Sequence, residues 1–306
     1  MSSPPEELAG VSTVDCTDMH VLITGSTSGI GRSAALALGR LGADVIVHGR
    51  DSNAGAEVVD KLSEEGSDAM FVEADFASVA AVTELATTVR EETDGLDLLI
   101  NNAGGLFRSN AVTDAGIEYT FHVNHLSPYL LTAELLNHLT DDARIVTTAS
   151  GAHRGASLQL DRIQGDHRLS GMRAYSHSKL ANILFSSELA RRLAVSDRSI
   201  TANSIHPGAI PGTGFSRFLP KPLPALVERL DTVPGVTAVA DGAAELLFVG
   251  VSPRTADISG RYFAGQRPRS PSDAAMDHDA AKRLWSKSAA LLEIPEPLAP
   301  PTSTND

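Results

Sequence analysis

The 306-residue chain contains one cysteine, Cys16, and one tryptophan, Trp285. A single thiol excludes an internal disulfide and suits a reducing compartment. No apolar run approaches the ~20 residues that a membrane-spanning helix needs. The opening MSSPPEELAGVSTVDCTD lacks a basic segment leading into an apolar core, so no secretory signal is expected. Positive charge is in deficit: 25 Lys and Arg stand against 38 Asp and Glu, a formal net charge of −13. Nucleic acids and acidic membranes are bound by clustered basic side chains, and this balance disfavours both. Ten histidines are present, but none falls in a His-Glu-x-x-His or Cys/His spacing, so no metal is expected. What remains is a soluble, cytoplasmic protein acting on a small molecule, with self-association into a homo-oligomer left open.

Short apolar runs alternate with helical segments. HVLIT (20–24), DVIVHG (44–49), AMFVEAD (69–75), DLLINNAG (97–104), RIVTTAS (144–150) and ITANSIHPG (200–208) read as strands. Helical stretches such as RSAALALGRL and EVVDKLSEEG lie between them and close on glycine. Nearly continuous apolar strands separated by helices indicate a parallel sheet covered on both faces. The expected fold class is therefore α/β, a doubly wound parallel sheet of Rossmann type, forming one domain over 18–293. Residues 1–17 and 294–306, rich in Pro, Ser and Glu, read as flexible tails. AAKRLWSKSAALLEI near the end reads as an amphipathic helix with Trp285 in its packed face.

In such sheets the ligand lies beyond the C-terminal ends of the strands. At the first end, TGSTSGIG places Gly25, Ser26, Thr27, Ser28, Gly29, Ile30 and Gly31 between a strand and an alanine-rich helix. Glycines there allow a tight turn and close approach of a pyrophosphate, which the helix N-terminus attracts. At the second end, the position where NAD-selecting proteins carry an acidic residue is Gly49, followed by Arg50, suited to a 2′-phosphate. NADP(H) is therefore favoured over NAD(H). Asp51 either points back toward the ribose or caps the next helix, and Arg50 has a plain surface reading. Asp75, with Phe76 beside it, either accepts from an adenine amino group or caps the helix starting near Ser78. The fourth end supplies Asn102, Ala103 and Gly104, small enough for a flat cofactor to lie on the backbone.

Two further features need a partner to acquire meaning. Asn124 sits inside an otherwise apolar helix, where asparagine is mildly unfavourable; a satisfied core amide is its ordinary explanation. Tyr175 and Lys179 are one helical turn apart and project from one face.

TGSTSGIG, NNAG, Asn124, Ser150 and Tyr175-x-x-x-Lys179 together resemble the short-chain dehydrogenase/reductase family, over residues 18 to 293. AYSHSKLANILFSSELARRL, VNHLSPYLLTAELL and AAKRLW resemble its retinol dehydrogenase and WW-domain oxidoreductase branch. The resemblance implies NADP(H)-dependent interconversion of a carbonyl and an alcohol on a lipophilic small molecule. It implies that Tyr175 is the general acid/base, that Lys179 lowers the tyrosine pKa and binds the nicotinamide ribose, and that Ser150 polarises the substrate oxygen. Asn124 would place a water in a proton relay behind Lys179. Pro207, Gly208 and Ile210 would meet the nicotinamide carboxamide, although the threonine usual a few residues later is displaced, with Gly212 in its place.

Elementary electrostatics supports the pairing. Bringing a phenol that titrates near ~10 three units toward neutrality requires roughly 4 kcal/mol of phenolate stabilisation. A nearby ammonium and an oxidised nicotinamide ring supply a field of that kind in a dry site. Residues 207–234 carry six prolines and read as a substrate lid or, less interestingly, as an exposed loop. A non-catalytic nucleotide sensor on the same fold is the competing reading. Carbon–carbon double-bond reduction has no positive support, since Cys16 lies at the N-terminal edge.

Overall fold

The structure is a computed structural model and describes residues 3–107, 111–166, 168–196, 198–208 and 238–299. Its strands are β1 (His20–Ile23), β2 (Asp44–Gly49), β3 (Ala69–Glu73), β4 (Leu96–Asn101), β5 (Leu139–Thr148), β6 (Thr201–His206), β7 (Tyr262–Ala264) and β8 (Pro268–Arg269). They form one sheet in the order β3-β2-β1-β4-β5-β6-β7-β8, parallel except for the final β7–β8 pair. The order reverses between β1 and β4, where Ile23 pairs with Ile100. That reversal opens the crevice in which open α/β sheets bind ligands.

Alternation along the strands explains the two covered faces. Leu22, Leu99, Ile145 and Ala202 point to one side and Val21, Ile23, Leu98, Val146 and Ile205 to the other, all of them buried. The first side is covered by α4 (Val79–Glu92), α5 (Tyr119–Phe121), α6 (Ser127–Leu135), α7 (Gly171–Leu193) and α9 (His278–Leu291). The second is covered by α2 (Gly29–Arg40), α3 (Ser52–Glu64) and α8 (Val239–Val251). Both layers belong to a single domain. Trp285 is buried as expected, edge-on to Tyr129 and stacked with Phe185, while the Arg192 guanidinium lies 4.7 Å from its ring centre.

The N-terminal segment departs from the expected flexible tail. A short helix α1 (Pro5–Leu8) docks on the second layer, and Ala9, Val11 and Cys16 are buried there. Arg40 clasps the Glu6 carboxylate through Nε (2.7 Å) and Nη2 (2.9 Å), and Gln266 Nε2 donates to the Leu8 carbonyl at 2.9 Å. The proline- and serine-rich composition concealed a few apolar residues that the sheet's second face accommodates. At the other end, Glu296 reaches Arg192 at 3.3 Å, and residues 300–306 lie outside the described residues. The sequence reading also passed over α8, β7 and β8, and the first half of β5, whose TDDA is too polar to read as a strand.

No helix among the described residues is long and apolar enough to cross a membrane.

Candidate active site

The glycine turn follows β1 because its backbone must fold tightly against β4. Gly25 adopts φ +67°, and a Cβ there would stand 2.9 Å from the Ala103 Cα. A Cβ on Gly31 would stand 2.4 Å from the Gly25 carbonyl oxygen. Ser28 opens α2 without capping it through its side chain, so the helix's leading N–H groups face outward from a bare turn. Such a cradle fits a pyrophosphate. Ser26 plays a different part: it is fully buried, its hydroxyl donates to the Ile23 carbonyl at 2.7 Å, and that oxygen accepts the His48 N–H at 3.0 Å.

At the end of β2, Asp51 caps α3, its Oδ1 accepting from the Ala54 N–H at 3.1 Å, as one of its two readings had it. A Cβ on Gly49 would fall 2.5 Å from Thr27 Cγ2, so a larger side chain here would have to displace the Thr27 side chain. Arg50 extends across the strand ends, more than half exposed, with Nη1 3.8 Å from Asp75 Oδ1 and 3.4 Å from the Tyr119 hydroxyl. Asp75 itself accepts from the Ala77 N–H at 3.0 Å, while Ser78 caps α4. The helix cap foreseen for Asp75 thus belongs to Ser78, and Asp75 remains half exposed at the cleft. Phe76 is buried: its ring stacks on His48 at 4.5 Å and its carbonyl accepts from the Ser127 hydroxyl at 2.5 Å. Its side chain supports the cleft from beneath and does not line it.

Asn102 ties the β1 and β4 ends together. Its Nδ2 donates to the Thr24 carbonyl at 3.0 Å, and the Thr24 hydroxyl accepts the N–H groups of Asn102 and Ala103, each at 2.9 Å. Gly104 must be glycine because a Cβ would stand 2.6 Å from Asn124 Oδ1.

α7 carries Tyr175 and Lys179 on its site-facing side, anchored by the buried Leu180, Leu184 and Leu189. Lys179 is 4% exposed, donates from Nζ to the Thr148 carbonyl at 2.9 Å, and lies 5.8 Å from the Tyr175 ring centre. Burial pushes its ammonium down to about 8. Tyr175 shares a hydrogen bond with the Ser150 side chain; burial raises its pKa and the Ser150 contact opposes that rise. Burial is the larger of the two effects on Tyr175, and Ser150 is the group that opposes it. Ser150 begins a 3-10 turn (Gly151–Gly155), its Oγ accepting from the Ala152 N–H at 3.2 Å. His153 donates from Nδ1 to the Ser150 carbonyl at 2.6 Å and accepts the Ser272 N–H at Nε2, 3.1 Å.

Asn124 lies in a π-helical turn (His122–Leu126), fully buried. Its Oδ1 accepts the Gly105 N–H, and its Nδ2 donates to the Gly105 carbonyl and to Ser178 Oγ, all at 2.9 Å. Both amide protons are thus committed. The side chain locks the β4 loop to α7.

Pro207 and Gly208 follow β6, with Gly208 at φ +92°. Ile210 and the rest of the foreseen 207–234 lid lie outside the described residues. Among the described residues, no group of three or more His, Cys, Asp or Glu is placed to hold a metal. Sequence reasoning missed His48, His153, Ser178 and Tyr119. A histidine in an apolar strand such as DVIVHG was the one available signal, because a buried imidazole requires partners.

The short chain dehydrogenase family model matches residues 19–222. Retinol dehydrogenase 14 of Mus musculus is 35% identical over 289 residues, covering 90% of this chain and 86% of its own. Among solved structures, an uncharacterized protein from Mycobacterium paratuberculosis superposes with a TM-score of 0.76 at 29% identity, covering 93% of this chain and 97% of its own. A short-chain dehydrogenase from Burkholderia cenocepacia in complex with NADP gives a TM-score of 0.64 at 28% identity, covering 81% and 96%. With a site of this geometry and relatives of this extent, the chain belongs to the short-chain dehydrogenase family, in its retinol dehydrogenase-like branch, and is an oxidoreductase.

Proposed function

We propose that this oxidoreductase uses NADP(H) to interconvert a carbonyl and an alcohol on a lipophilic small molecule, with Tyr175 as general acid/base. The observation that carries the reading is the hydrogen bond between the Tyr175 and Ser150 side chains beside a buried ammonium. Two hydroxyl groups converge where a substrate oxygen would sit, and both strand ends flanking them belong to the dinucleotide crevice.

When bound, NADP(H) supplies or accepts the hydride. The chain's own groups handle the rest. Ser150 holds the substrate oxygen toward Tyr175, and the tyrosine hydroxyl gives its proton to that oxygen during reduction. In oxidation the same proton returns to the phenolate. Lys179, held by Thr148, stabilises the phenolate as it forms and holds the nicotinamide ribose. Asn124 fixes the β4 loop against α7 so that these groups keep their spacing, and the backbone of its π turn carries the water of the relay. Pro207, Gly208 and Ile210 are assigned to the carboxamide, and Asp75 to the adenine.

Preference for NADP(H) is supported by Arg50 at the cleft, by Asp51 being engaged as a cap, and by the crowding at Gly49. A related protein is described in complex with NADP, and the retinol of the curated relative supports a lipophilic substrate. The reading is tested by mixing purified protein with NADPH and a panel of hydrophobic aldehydes and ketones, following loss of the reduced cofactor's absorbance. Tyr175→Phe should lower turnover by about 10²–10⁴-fold; unchanged turnover would remove Tyr175 from the mechanism. Tight NADPH binding without turnover of any panel member would favour a nucleotide sensor instead.

A further inference from the structure

We infer that His48 is a positioning residue for the cofactor cradle, setting the conformation of the glycine turn and with it the affinity for the adenosine-pyrophosphate half. The inference rests on the dinucleotide-binding reading above. His48 touches no ligand; it acts through Gly25.

The Thr24–Gly25 peptide unit is clamped from both sides. Its carbonyl accepts from Asn102 Nδ2 at 3.0 Å, on the β4 side, and its N–H donates to His48 Nδ1 at 3.1 Å, on the β2 side. With this peptide plane held at both ends and the next one held through the Ser26 N–H, Gly25 is kept at φ +67°. The Gly25 carbonyl in turn crowds the position of Gly31, where a Cβ would come within 2.4 Å. That carbonyl lies on the next peptide unit, Gly25–Ser26, joined to the clamped one at the Gly25 Cα, so the first turn of α2 packs against the residue whose N–H the imidazole holds.

The ring can do this in one protonation state only. Gly25 is a donor, so Nδ1 must be bare; the hydrogen then sits on Nε2, which donates to the Ala74 carbonyl at 3.1 Å. One neutral imidazole therefore joins the turn after β1 to the end of β3. Its ring rests on Phe76 at 4.5 Å, and it is 2% exposed. The main chain of the same residue grips the turn as well: Ser26 donates its N–H to the His48 carbonyl at 2.9 Å. Burial holds the ring neutral, with Arg50 adding to that and Asp75 opposing it.

The test compares three variants by NADPH fluorescence titration, by titration with 2′,5′-ADP, and by turnover at saturating NADPH. Asn offers an acceptor where Nδ1 stands, Gln offers a polar group only where Nε2 stands, and Phe keeps the shape without either bond. His48→Phe and His48→Gln should raise the Kd of both NADPH and 2′,5′-ADP tenfold or more, with kcat at saturation within about twofold of wild type. His48→Asn should recover most of the affinity. A residue that merely stabilises the fold would lower the melting temperature and leave the two Kd values in place, and that outcome overturns the inference. If His48→Phe does not fold, equal affinities for the Asn and Gln variants overturn it just as well. Failure of the wild-type chain to bind NADPH or 2′,5′-ADP is a separate result that removes the dinucleotide reading, and this inference with it.

Discussion

Asn124 Nδ2 donates to Ser178 Oγ at 2.9 Å, and that hydroxyl donates onward to the Tyr175 carbonyl at 2.8 Å. A buried amide on the π turn is thus linked to the backbone of the residue assigned as the acid/base. Asn124→Ala would strand the Gly105 N–H and carbonyl as well as Ser178. Unpaired buried polar groups cost about 1–3 kcal/mol each. We expect a loss of 3 kcal/mol or more, at about that order, in urea denaturation, together with reduced kcat. Asn124→Asp, which keeps the acceptor for Gly105, should lose less stability than Ala if measured near pH 5; a larger loss there would contradict the assignment.

Lys179 predicts a specific pH dependence of stability. Burial lowers its folded pKa from 10.5 to about 8, so between those values the unfolded chain binds the proton that the folded chain has released. Stability from this group therefore rises with pH across the window from about 8 to 10.5. Below it both states are protonated and the burial penalty is constant. Lys179→Met removes the titrating group, and its stability advantage over wild type should shrink as pH is raised from about 8 toward about 10.

Glu245 gives the opposite sign. It is 4% exposed on α8, its Oε2 accepts the Gln266 N–H at 2.7 Å, and burial raises it to about 7. Between 4.5 and about 7 the folded chain holds the extra proton, so stability falls as pH rises through that range. Glu245→Gln keeps an acceptor without the charge and should be more stable than wild type at pH 8 by on the order of 2 kcal/mol. The difference should vanish near pH 4.5. An equal gain at both pH values would mean that ionisation is not the cause.

His153 offers a measurement of rate instead of stability. Its ring bridges the Ser150 carbonyl and the Ser272 N–H, so it holds the turn that aims the Ser150 hydroxyl at Tyr175. His153→Ala should reduce kcat about tenfold, a misplacement effect of the kind expected for positioning groups, with NADPH affinity unchanged. His153→Asn keeps a donor near the Nδ1 position and should restore part of the rate. A fall in NADPH affinity instead of kcat would place His153 in the cofactor cradle.

Gly31→Ala tests the cradle directly. The added Cβ meets main-chain oxygen at 2.4 Å, and backbone cannot yield as a flexible side chain does. Overpacking costs about 1–3 kcal/mol in ordinary cores; here the displaced atoms form the phosphate turn. NADPH binding should therefore fall at least tenfold while far-ultraviolet circular dichroism stays native. Retained affinity would show that the turn can shift without cost to the ligand.

Residue spacing determined a good deal of this protein by itself. Nearly continuous apolar runs gave the strands, glycines after β1 marked a tight turn, and the four-residue step put Tyr175 and Lys179 on one face of α7. These are relations between chain neighbours, fixed by backbone geometry wherever the residues occur. Composition misled at 3–17, because Val11 and Cys16 are buried only once α2 and α8 have assembled a surface to receive them. Likewise, only the strand order brings His48 to Gly25 across 23 residues, Asn124 to Ser178 across 54 and His153 to Ser272 across 119. Tertiary structure also decided the protonation states: Lys179 and Tyr175 shift because burial removes water from both, and sequence spacing cannot register the loss of solvent.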